Sequence, residues 1–309
     1  MVRDGDASFT VAPSEVGTRL DKFLAAPARL GSRGKAADAL ARGQVFVNGN
    51  EVASDAAAQA MRAGDLVRLW RSRPGSAKRR SVTRDAGPLT IVYEDEAFAV
   101  VDKPPGLLSV PLAGDPSPSV ATLLPTCWKG PRHPAAFVVH RLDRDTSGLV
   151  VFAKSTVACQ TLKTQFITRT AVREYLTVVH GVPAPADGEW RDIMRWNAQS
   201  RRSDVIATLE QGALEARLRY RVVEVLQDAA LLDVALITGR RNQIRVQAAF
   251  RGHPVFGERQ YARTDDPIDR QALHAVKLAF AHPVDGHPVR LESPLPDDMR
   301  RLVRTLRRV

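Results

Sequence analysis

One connection between two apolar segments constrains this chain more than any other stretch. Residues 136–139 and 149–153 are short apolar segments, as expected for β-strands. The sequence HRLDRDTSGL connects them and includes the first residue of the second segment. A plain hairpin turn consists of small, turn-forming residues, whereas this connection places two arginines and two aspartates before a Thr-Ser-Gly turn. Loops held by a rigid sheet are a common location for chemistry. We therefore expect this loop to hold reactive groups in a fixed position.

The chain after residue 88 favours strands over helices. Short apolar or alternating segments predict strands at residues 89–93, 97–101, 173–180, 216–225, 231–236 and 273–280. Helices are predicted at residues 155–168, 242–250 and 298–308, the last of them basic. Strands with a minority layer of helices predict an α+β fold with a mixed, mostly antiparallel sheet over residues 89–309.

A smaller and more basic segment precedes this sheet. Residues 8–70 predict a small α/β domain with two short helices and two strands, and residues 71–88 predict a basic linker rich in Ser, Pro and Gly. Residues 1–88 contain 15 Lys and Arg against 9 Asp and Glu, within a chain of 309 residues and net charge +11. This balance favours a polyanionic partner, with nucleic acid before an acidic membrane.

Several classes of function lack their sequence signals. Cys127 and Cys159 are two isolated thiols, and the seven histidines show no metal-binding spacing. Neither a dinucleotide-binding nor a phosphate-loop glycine motif is present. No apolar run approaches the roughly 20 residues that span a bilayer, and the N-terminus lacks an apolar signal core. We expect no cofactor, no metal and no membrane contact, a cytoplasmic location and, by default, a monomer.

The charged loop is also part of a longer resemblance. HRLDRDTSGLVVFAKS resembles the signature of the RluA-type pseudouridine synthases, in which the Asp of HRLD is the catalytic residue. That residue here is Asp143. The resemblance extends through four further blocks: VYEDEAFAVVDKPPGL, REYLTVVHG, TGRRNQIRVQAAFRGHPVFGERQY and LHAVKLAFAHPVDG. It implies an RNA pseudouridine synthase, an isomerase that needs neither metal nor nucleotide cofactor.

A second resemblance covers the N-terminal segment. RLDKFL, SRGKAADAL, GQVFVNG and GDLVRLW follow, in order, the pattern of the S-four type RNA-binding module, which is named after a ribosomal small-subunit protein. The resemblance implies RNA contacts by five residues: Arg19, Lys22, Ser32, Arg33 and Lys35. Together the two resemblances favour ribosomal RNA of the large subunit as substrate, with transfer RNA as the second choice.

Four residues are expected to meet in one cleft. A guanidinium beside a desolvated carboxylate keeps it charged, so that it can serve as nucleophile or base. The resemblance assigns Asp143 the catalytic role and Arg245 the counter-ion role. Tyr175 offers a ring on which an extruded base can stack. If the strand continues through the loop, Arg141 lies on the same face as Asp143. Arg141 can fill the gap in the RNA stack or hold the backbone.

Two positions depart from the family pattern, and two other functions remain open. The family usually has His where this chain has Asn242 and Gln247, which form hydrogen bonds but carry no charge. One alternative function is a non-catalytic RNA-binding or ribosome-assembly protein. The other is a carboxylate-based nucleoside or glycoside hydrolase, although Asp145, two residues after Asp143, is better explained as a turn cap than as a second catalytic carboxylate.

Overall fold

Two separate sheets organise the residues that the computed structural model describes, which are 7–52, 54–70, 84–87, 89–128, 135–262 and 265–307. One sheet lies in the unit Met1–Val82 and the other in the unit Thr83–Val309. Each unit has its own hydrophobic cluster. Within the described ranges, none of the helices combines the length and hydropathy needed to cross a lipid bilayer.

The smaller unit is an antiparallel sheet of four strands packed against two helices. The strands are β1 (Ala7–Thr10), β2 (Val45–Val47), β3 (Asn50–Glu51) and β4 (Leu66–Leu69), in the order β1-β4-β2-β3. The helices are α1 (Leu20–Leu24) and α2 (Arg33–Ala41), with 3-10 turns at Pro13–Glu15 and Ser54–Ala58. Apolar residues of both helices are buried with those of β2 and β4. The α/β character predicted for residues 8–70 agrees with this arrangement.

The larger unit contains a twelve-stranded sheet. Its strands are β5 (Arg84–Ala86), β6 (Leu89–Glu94), β7 (Phe98–Lys103), β8 (Phe137–Val138), β9 (Ser147–Ala153), β10 (Val172–His180), β11 (Asp187–Asn197), β12 (Arg202–Ile206), β13 (Ala213–Leu226), β14 (Ala229–Leu236), β15 (Leu273–Ala281) and β16 (Pro288–Glu292). The main order is β12-β11-β13-β14-β10-β15-β9-β7-β6-β5, with β16 beside β15 and β8 beside β9. The predicted α+β fold with a mostly antiparallel sheet is confirmed.

Four helices accompany this sheet. They are α3 (Val120–Leu123), α4 (Thr156–Ile167), α5 (Gln243–Phe250) and α6 (Asp297–Leu306), with a 3-10 turn at Leu124–Cys127. Ser155 caps α4 because its hydroxyl oxygen accepts the backbone N–H of Ala158 at 3.2 Å. The helix α5 presents Arg245 among buried residues, so this helix positions part of the site described below.

Some strands and boundaries differ from those predicted. The strands β11, β12 and β16 were not expected, because they carry many charged side chains and therefore lack a clear apolar pattern. Residues 84–86, expected in the linker, form β5 and pair with β6. Gly87 forms a turn, and residues 71–83 and 88 of the expected linker lie outside the described residues. The strand after the charged loop begins at Ser147 and not at residue 149.

One parallel ladder joins two antiparallel halves of the large sheet. Strands β5–β9 form a first half-sheet and β10–β16 a second, and among the described strands only β9 and β15 pair in parallel. At this junction Gly148 faces Ala275 with a φ of +107°, and a Cβ built on it would lie 2.3 Å from the Ala275 carbonyl oxygen. The junction therefore requires glycine at position 148.

Candidate active site

The charged loop is held by hydrogen bonds to a neighbouring loop. The Ser109 hydroxyl donates to the Leu142 carbonyl at 2.8 Å, and the Leu142 N–H donates to the same hydroxyl at 3.0 Å. The Thr146 N–H donates to the Asp143 carbonyl at 3.2 Å, which closes the turn before β9. These bonds fix the backbone on both sides of Asp143, so the direction of its side chain is set by the fold.

A buried lysine adds a further anchor to this loop. The side chain of Lys103 is fully buried, and its Nζ donates to the carbonyls of Pro104, Leu107 and Arg144 at 2.9, 2.8 and 2.7 Å. An ammonium group has three protons, one for each carbonyl. Burial lowers the pKa of Lys103 to about 7. The Lys-Pro-Pro-Gly segment thereby ties the end of β7 to the charged loop.

Asp143 contacts a guanidinium that is itself fixed from behind. Arg245 Nη1 donates to Asp143 Oδ2 at 3.2 Å. The same guanidinium donates from Nε and Nη2 to the two carboxylate oxygens of Glu258 at 2.7 and 2.8 Å, and the Glu258 side chain is fully buried. A bidentate pair of this kind fixes the plane of the guanidinium. Glu258 therefore orients Arg245 toward Asp143.

The charges within this chain of contacts shift one another's pKa values. Burial acts to lower the pKa of Arg245, but the hydrogen bonds and charges of Glu258 and Asp143 outweigh it and raise the pKa above its usual value. Burial acts to raise the pKa of Glu258, and Arg245 outweighs that effect, so the pKa is lowered. Arg245 and Glu258 are thus a charged pair at neutral pH.

Asn242 lies beside the same carboxylate. The orientation that satisfies both ends of its amide has the nitrogen 3.1 and 3.0 Å from the two oxygens of Asp143, while the amide oxygen accepts from the Tyr261 hydroxyl at 2.9 Å. Asn242 precedes α5 with a left-handed φ of 55°, a conformation that Asn adopts more readily than most residues. This first departure from the family pattern therefore supplies a neutral donor to Asp143.

The second departure lies elsewhere. Gln247 is fully buried within α5, where its amide donates to Asp192 at 2.6 Å and accepts from Gln243 at 3.0 Å. Arg251 also donates to Asp192, at 2.8 and 3.1 Å, so this network links α5 to β11. Gln247 therefore belongs to the support of the helix and has no contact with Asp143 among its hydrogen bonds.

Tyr175 is buried on β10 and lines the same cavity as Asp143 and Arg245. Burial raises the pKa of Tyr175 to about 12, and the charge of Asp143 acts in the same direction, whereas Arg173 opposes it. The phenol is therefore neutral at physiological pH. Its contribution is a flat ring and a neutral hydroxyl at the wall of the cavity.

The cavity has a volume of about 590 Å³, a size typical of small-ligand sites. Arg141 also lines it, but residues 139–146 form a loop, so the strand does not continue through Arg141 and Asp143 and the condition for a common strand face is not met. The turn chemistry of Asp-Thr-Ser ends the pairing before the charged residues. Asp145 lines a different cavity with Arg270 and Asp298, which contradicts a paired-carboxylate site formed with Asp143.

His140 has a structural environment. Its Nε2 accepts the backbone N–H of Val151 at 3.2 Å, and its ring stacks on Phe166 with a centroid distance of 4.7 Å. Burial lowers the pKa of His140 to about 3, and the nearby Arg173 contributes to this shift. A neutral imidazole that already accepts a backbone hydrogen bond is a structural group and not a general base.

The five residues predicted to contact RNA lie on the surface of the smaller unit. Arg19 and Arg33 both donate to the buried carboxylate of Asp21, at 3.1 Å and 2.7 Å respectively. These hydrogen bonds hold the pKa of Asp21 well below its usual value. The Ser32 hydroxyl caps α2 by accepting the Lys35 N–H at 3.2 Å.

The side chains of the remaining two, Lys22 and Lys35, are exposed, and within the described residues no ion pair is assigned to either.

One group of potential metal ligands lies on the hairpin between β15 and β16. The ligand atoms of His282, Asp285 and His287 lie within 4.8 Å of one another. Each already has protein partners: Asp285 contacts both rings at 2.8 and 2.6 Å, and His282 also contacts Asp95 at 2.8 Å and accepts the Val284 N–H. The contacts account for this group as a hydrogen-bonded turn.

Glu258, Tyr261 and Arg173 are parts of the site that the sequence analysis did not single out. Glu258 lies in the Gly-Glu-Arg-Gln-Tyr segment, where an acid next to glycine gives no signal of burial. Arg173 precedes Tyr175 by two residues on β10, and this spacing alone indicates a common strand face.

Comparisons with known proteins show which family this chain resembles. A family model described as RNA pseudouridylate synthase matches residues 97–250. An uncharacterized RNA pseudouridine synthase of Bacillus subtilis, YlyB, is 34% identical over 97% of this chain and 98% of its own length. A protein of Nitrosomonas europaea described as ribosomal large subunit pseudouridine synthase D is 35% identical over 97% of this chain and 87% of its length.

Solved structures of lower identity share the fold. Human RNA pseudouridylate synthase domain containing 4 superposes with a TM-score of 0.58 at 21% identity, covering 70% of this chain and 92% of the human chain. Human RNA pseudouridylate synthase domain containing 1 gives a TM-score of 0.55 at 21% identity, covering 73% and 97%. From the full-length relatives, the matching family model and the common fold, it follows that this chain belongs to the RNA pseudouridine synthase family.

Proposed function

We propose that the chain isomerises a uridine of structured RNA with Asp143 as the catalytic carboxylate. The contact of 3.2 Å between Asp143 and Arg245, inside a cavity lined by Tyr175, carries this proposal. A duplex or stacked strand hides its bases, so the target uridine is flipped into the cavity before reaction. Tyr175 supplies a stacking surface for the uracil, and Arg141 holds the backbone or fills the gap that the base leaves.

The reaction rearranges bonds without any net transfer. The bond between N1 of uracil and C1′ of the ribose breaks, the freed ring rotates, and C5 bonds to C1′. C5 then loses a proton and N1 gains one, so that substrate and product are isomers. Asp143 promotes the first step either by attack on the sugar or by removal of a sugar proton, and both routes require its carboxylate next to the ribose. Arg245 and Asn242 hold that carboxylate by hydrogen bonds.

The variant Asp143→Asn tests this assignment, because it keeps the shape of the side chain and removes its basic and nucleophilic character. We expect pseudouridine formation to be lost while RNA affinity is retained. Asp145→Asn is the matched control, since Asp145 lines a different cavity, and it should keep the activity. An active Asp143→Asn enzyme would refute the assignment. Release of free uracil would instead support hydrolysis.

The proposed substrate is ribosomal RNA of the large subunit. Several relatives with full-length similarity are named for that RNA, including those of Vibrio vulnificus and Nitrosomonas europaea. Pseudouridine mapping in cells with and without the gene tests this point, and one ribosomal position should be lost. Loss in transfer RNA would replace the proposed substrate, and no loss at all would favour a non-catalytic RNA-binding protein. A cytoplasmic location belongs to the same proposal.

The smaller unit is proposed to be an S-four type RNA-binding domain over residues 8–70, followed by a basic linker and a catalytic domain over 89–309. Lys22 and Lys35 are exposed on this unit. Arg19 and Arg33 of the same unit each form an ion pair with Asp21. Replacing both lysines with alanine should weaken RNA binding and reduce the salt slope by about 2.

A control for this domain is Lys277→Ala. The Lys277 ammonium already pairs with Glu174 at 3.2 Å, so its loss should leave the slope unchanged. An unchanged slope in the double variant would contradict the domain assignment. We further propose that the chain acts as a monomer, which light scattering tests. We also propose that it needs neither metal nor nucleotide cofactor, so activity should persist in an assay that contains a chelator and no added nucleotide.

A further inference from the structure

Arg173 is a partly buried cation that the assigned roles leave unused. It lies on β10 two residues before Tyr175 and lines the same cavity. Its Nε atom is the single buried side-chain nitrogen or oxygen without a hydrogen-bond partner among the described residues. Buried polar groups are nearly always paired, so an orphaned guanidinium nitrogen at a cavity wall indicates a missing partner.

The surroundings of Arg173 offer no acid to complete it. Its guanidinium lies 5.3 Å from the centroid of the Phe166 ring, and no carboxylate of the described residues forms an ion pair with it. Burial lowers the pKa of Arg173, with Tyr175 acting in the opposite direction, yet an arginine remains protonated in a protein. A partly buried charge with an enclosed, unpaired Nε–H is costly, so a ligand that supplies an anion here binds favourably.

The charged residues that line the cavity are mostly basic. Its lining contains six basic residues and one acid, Asp143; the basic residues are Arg141, Lys163, Arg169, Arg173, Arg240 and Arg245. The charge of Arg245 is matched by Asp143 and Glu258, which leaves the side near Phe166 and Arg169 without an acidic lining residue. A cavity of this composition concentrates anions.

On these observations we infer that Arg173 binds a phosphodiester oxygen of the RNA next to the flipped uridine. This inference rests on the proposed function, because it takes Tyr175 as the wall for the base. Residues two apart on a strand face lie about 7 Å apart, a separation comparable to that between the base and the phosphate of one nucleotide. The planar guanidinium fork matches the oxygens of a phosphate group.

Gly239 leaves the space that this guanidinium occupies. A Cβ built on Gly239 would lie 2.5 Å from Arg173 Nη1, which is the end of a flexible side chain. The variant Gly239→Ala therefore displaces the guanidinium without changing any charge. If Arg173 binds phosphate, Gly239→Ala should weaken RNA binding in the wild type and have no further effect once Arg173 is replaced.

The first test measures binding of an in vitro transcript of the large-subunit ribosomal RNA. Binding is compared in the Asp143→Asn background, so that no turnover occurs. Arg173→Gln should weaken binding by about 10- to 100-fold, as expected for a charge-assisted hydrogen bond, and reduce the salt slope by about 1. Arg173→Lys should restore part of the affinity. Arg221→Gln is the control because Arg221 already pairs with Asp233 at 3.3 Å, and it should change neither quantity.

The second test removes the charge from the RNA. A short synthetic RNA spanning the mapped uridine carries a neutral methylphosphonate at each flanking position in turn. One position should weaken binding of the protein with Arg173 and have no effect on Arg173→Gln. Additive effects at every position overturn the inference. Such a result with an active wild-type enzyme leaves the proposed function intact, whereas absence of pseudouridine formation by the wild type contradicts the proposed function itself.

Discussion

The pair formed by Arg245 and Glu258 gives the sharpest test of how burial governs this site. Glu258 accepts Arg245 Nε at 2.7 Å and Nη2 at 2.8 Å, and it also accepts the N–H groups of Gln260 at 2.8 Å and Tyr261 at 3.2 Å. In Glu258→Gln the amide oxygen can replace only one carboxylate oxygen, so its NH₂ group faces the Nε–H of Arg245. Two hydrogen-bond donors, one of them charged, then face each other inside the protein, where water cannot supply the missing acceptor.

The expected loss of stability is about 3 kcal/mol, the lower end for breaking a buried ion pair, because the glutamine keeps one acceptor. For a unit of this size the loss corresponds to a decrease of about 6–12 °C in the unfolding temperature. Urea unfolding followed by tryptophan fluorescence measures the loss of free energy, and heating followed by the same signal measures the shift in unfolding temperature. Three of the four tryptophans belong to the larger unit: Trp128, Trp190 and Trp196.

The control is an ion pair at the surface with an equally short Nε–oxygen contact. Arg217 Nε lies 2.7 Å from Glu189 Oε1, but 29% of each side chain is exposed. Water and salt screen such a pair, so Glu189→Gln should leave the unfolding temperature unchanged within error. Equal destabilisation by the two variants, or none by Glu258→Gln, would refute the reasoning that burial makes the Glu258 contact strong.

Three further predictions concern the loop, its support and the sheet junction. Asn242→Gly keeps the left-handed backbone but removes the amide donor to Asp143, so the rate constant in a single-turnover assay should fall about 10- to 100-fold. His140 has a folded pKa of about 3 against an unfolded value near 6.5, so the wild type should lose stability as the pH falls below 6.5, and His140→Gln should lose this dependence in urea titrations. A rise of stability at acidic pH would contradict that sign. Gly148→Ala should prevent soluble expression because the backbone of β15 occupies the Cβ position, whereas Gly286→Ala, with open space around it, should express normally with a modest loss of unfolding temperature.

The sequence predicts which residues meet in the cavity better than it predicts what supports them. Asp143, Tyr175 and Arg245 come from motifs with a known pattern, and all three line one cavity. Glu258 lies 13 residues after Arg245, which it orients. Glu258 becomes buried only when the chain folds α5 against the loop that follows this helix. No local periodicity records such a contact. Lys103 is similar, because its three carbonyl acceptors come partly from a loop 41 residues away.

The same limit explains the errors in the fold. The continuous apolar sequence of β9 predicts a buried strand, and every residue of β9 is buried. The strand β12 has the sequence Arg-Ser-Asp-Val-Ile and becomes a strand because β11 pairs with it. Arg141 and Asp143 share no strand face, since turn chemistry near Asp143 ends the strand before them. Long-range pairing therefore decides the elements whose own residues are neutral toward either structure.

The junction between the two half-sheets makes the enzyme divisible. All strands of the first half-sheet precede α4, and all strands of the second follow it, so a single cut after α4 separates the two sets. Asp143 then belongs to one fragment, and Tyr175 and Arg245 to the other. One hydrophobic cluster draws residues from both fragments, which gives them a surface for reassociation. We therefore expect each fragment alone to be inactive, and isomerase activity to report their reassociation.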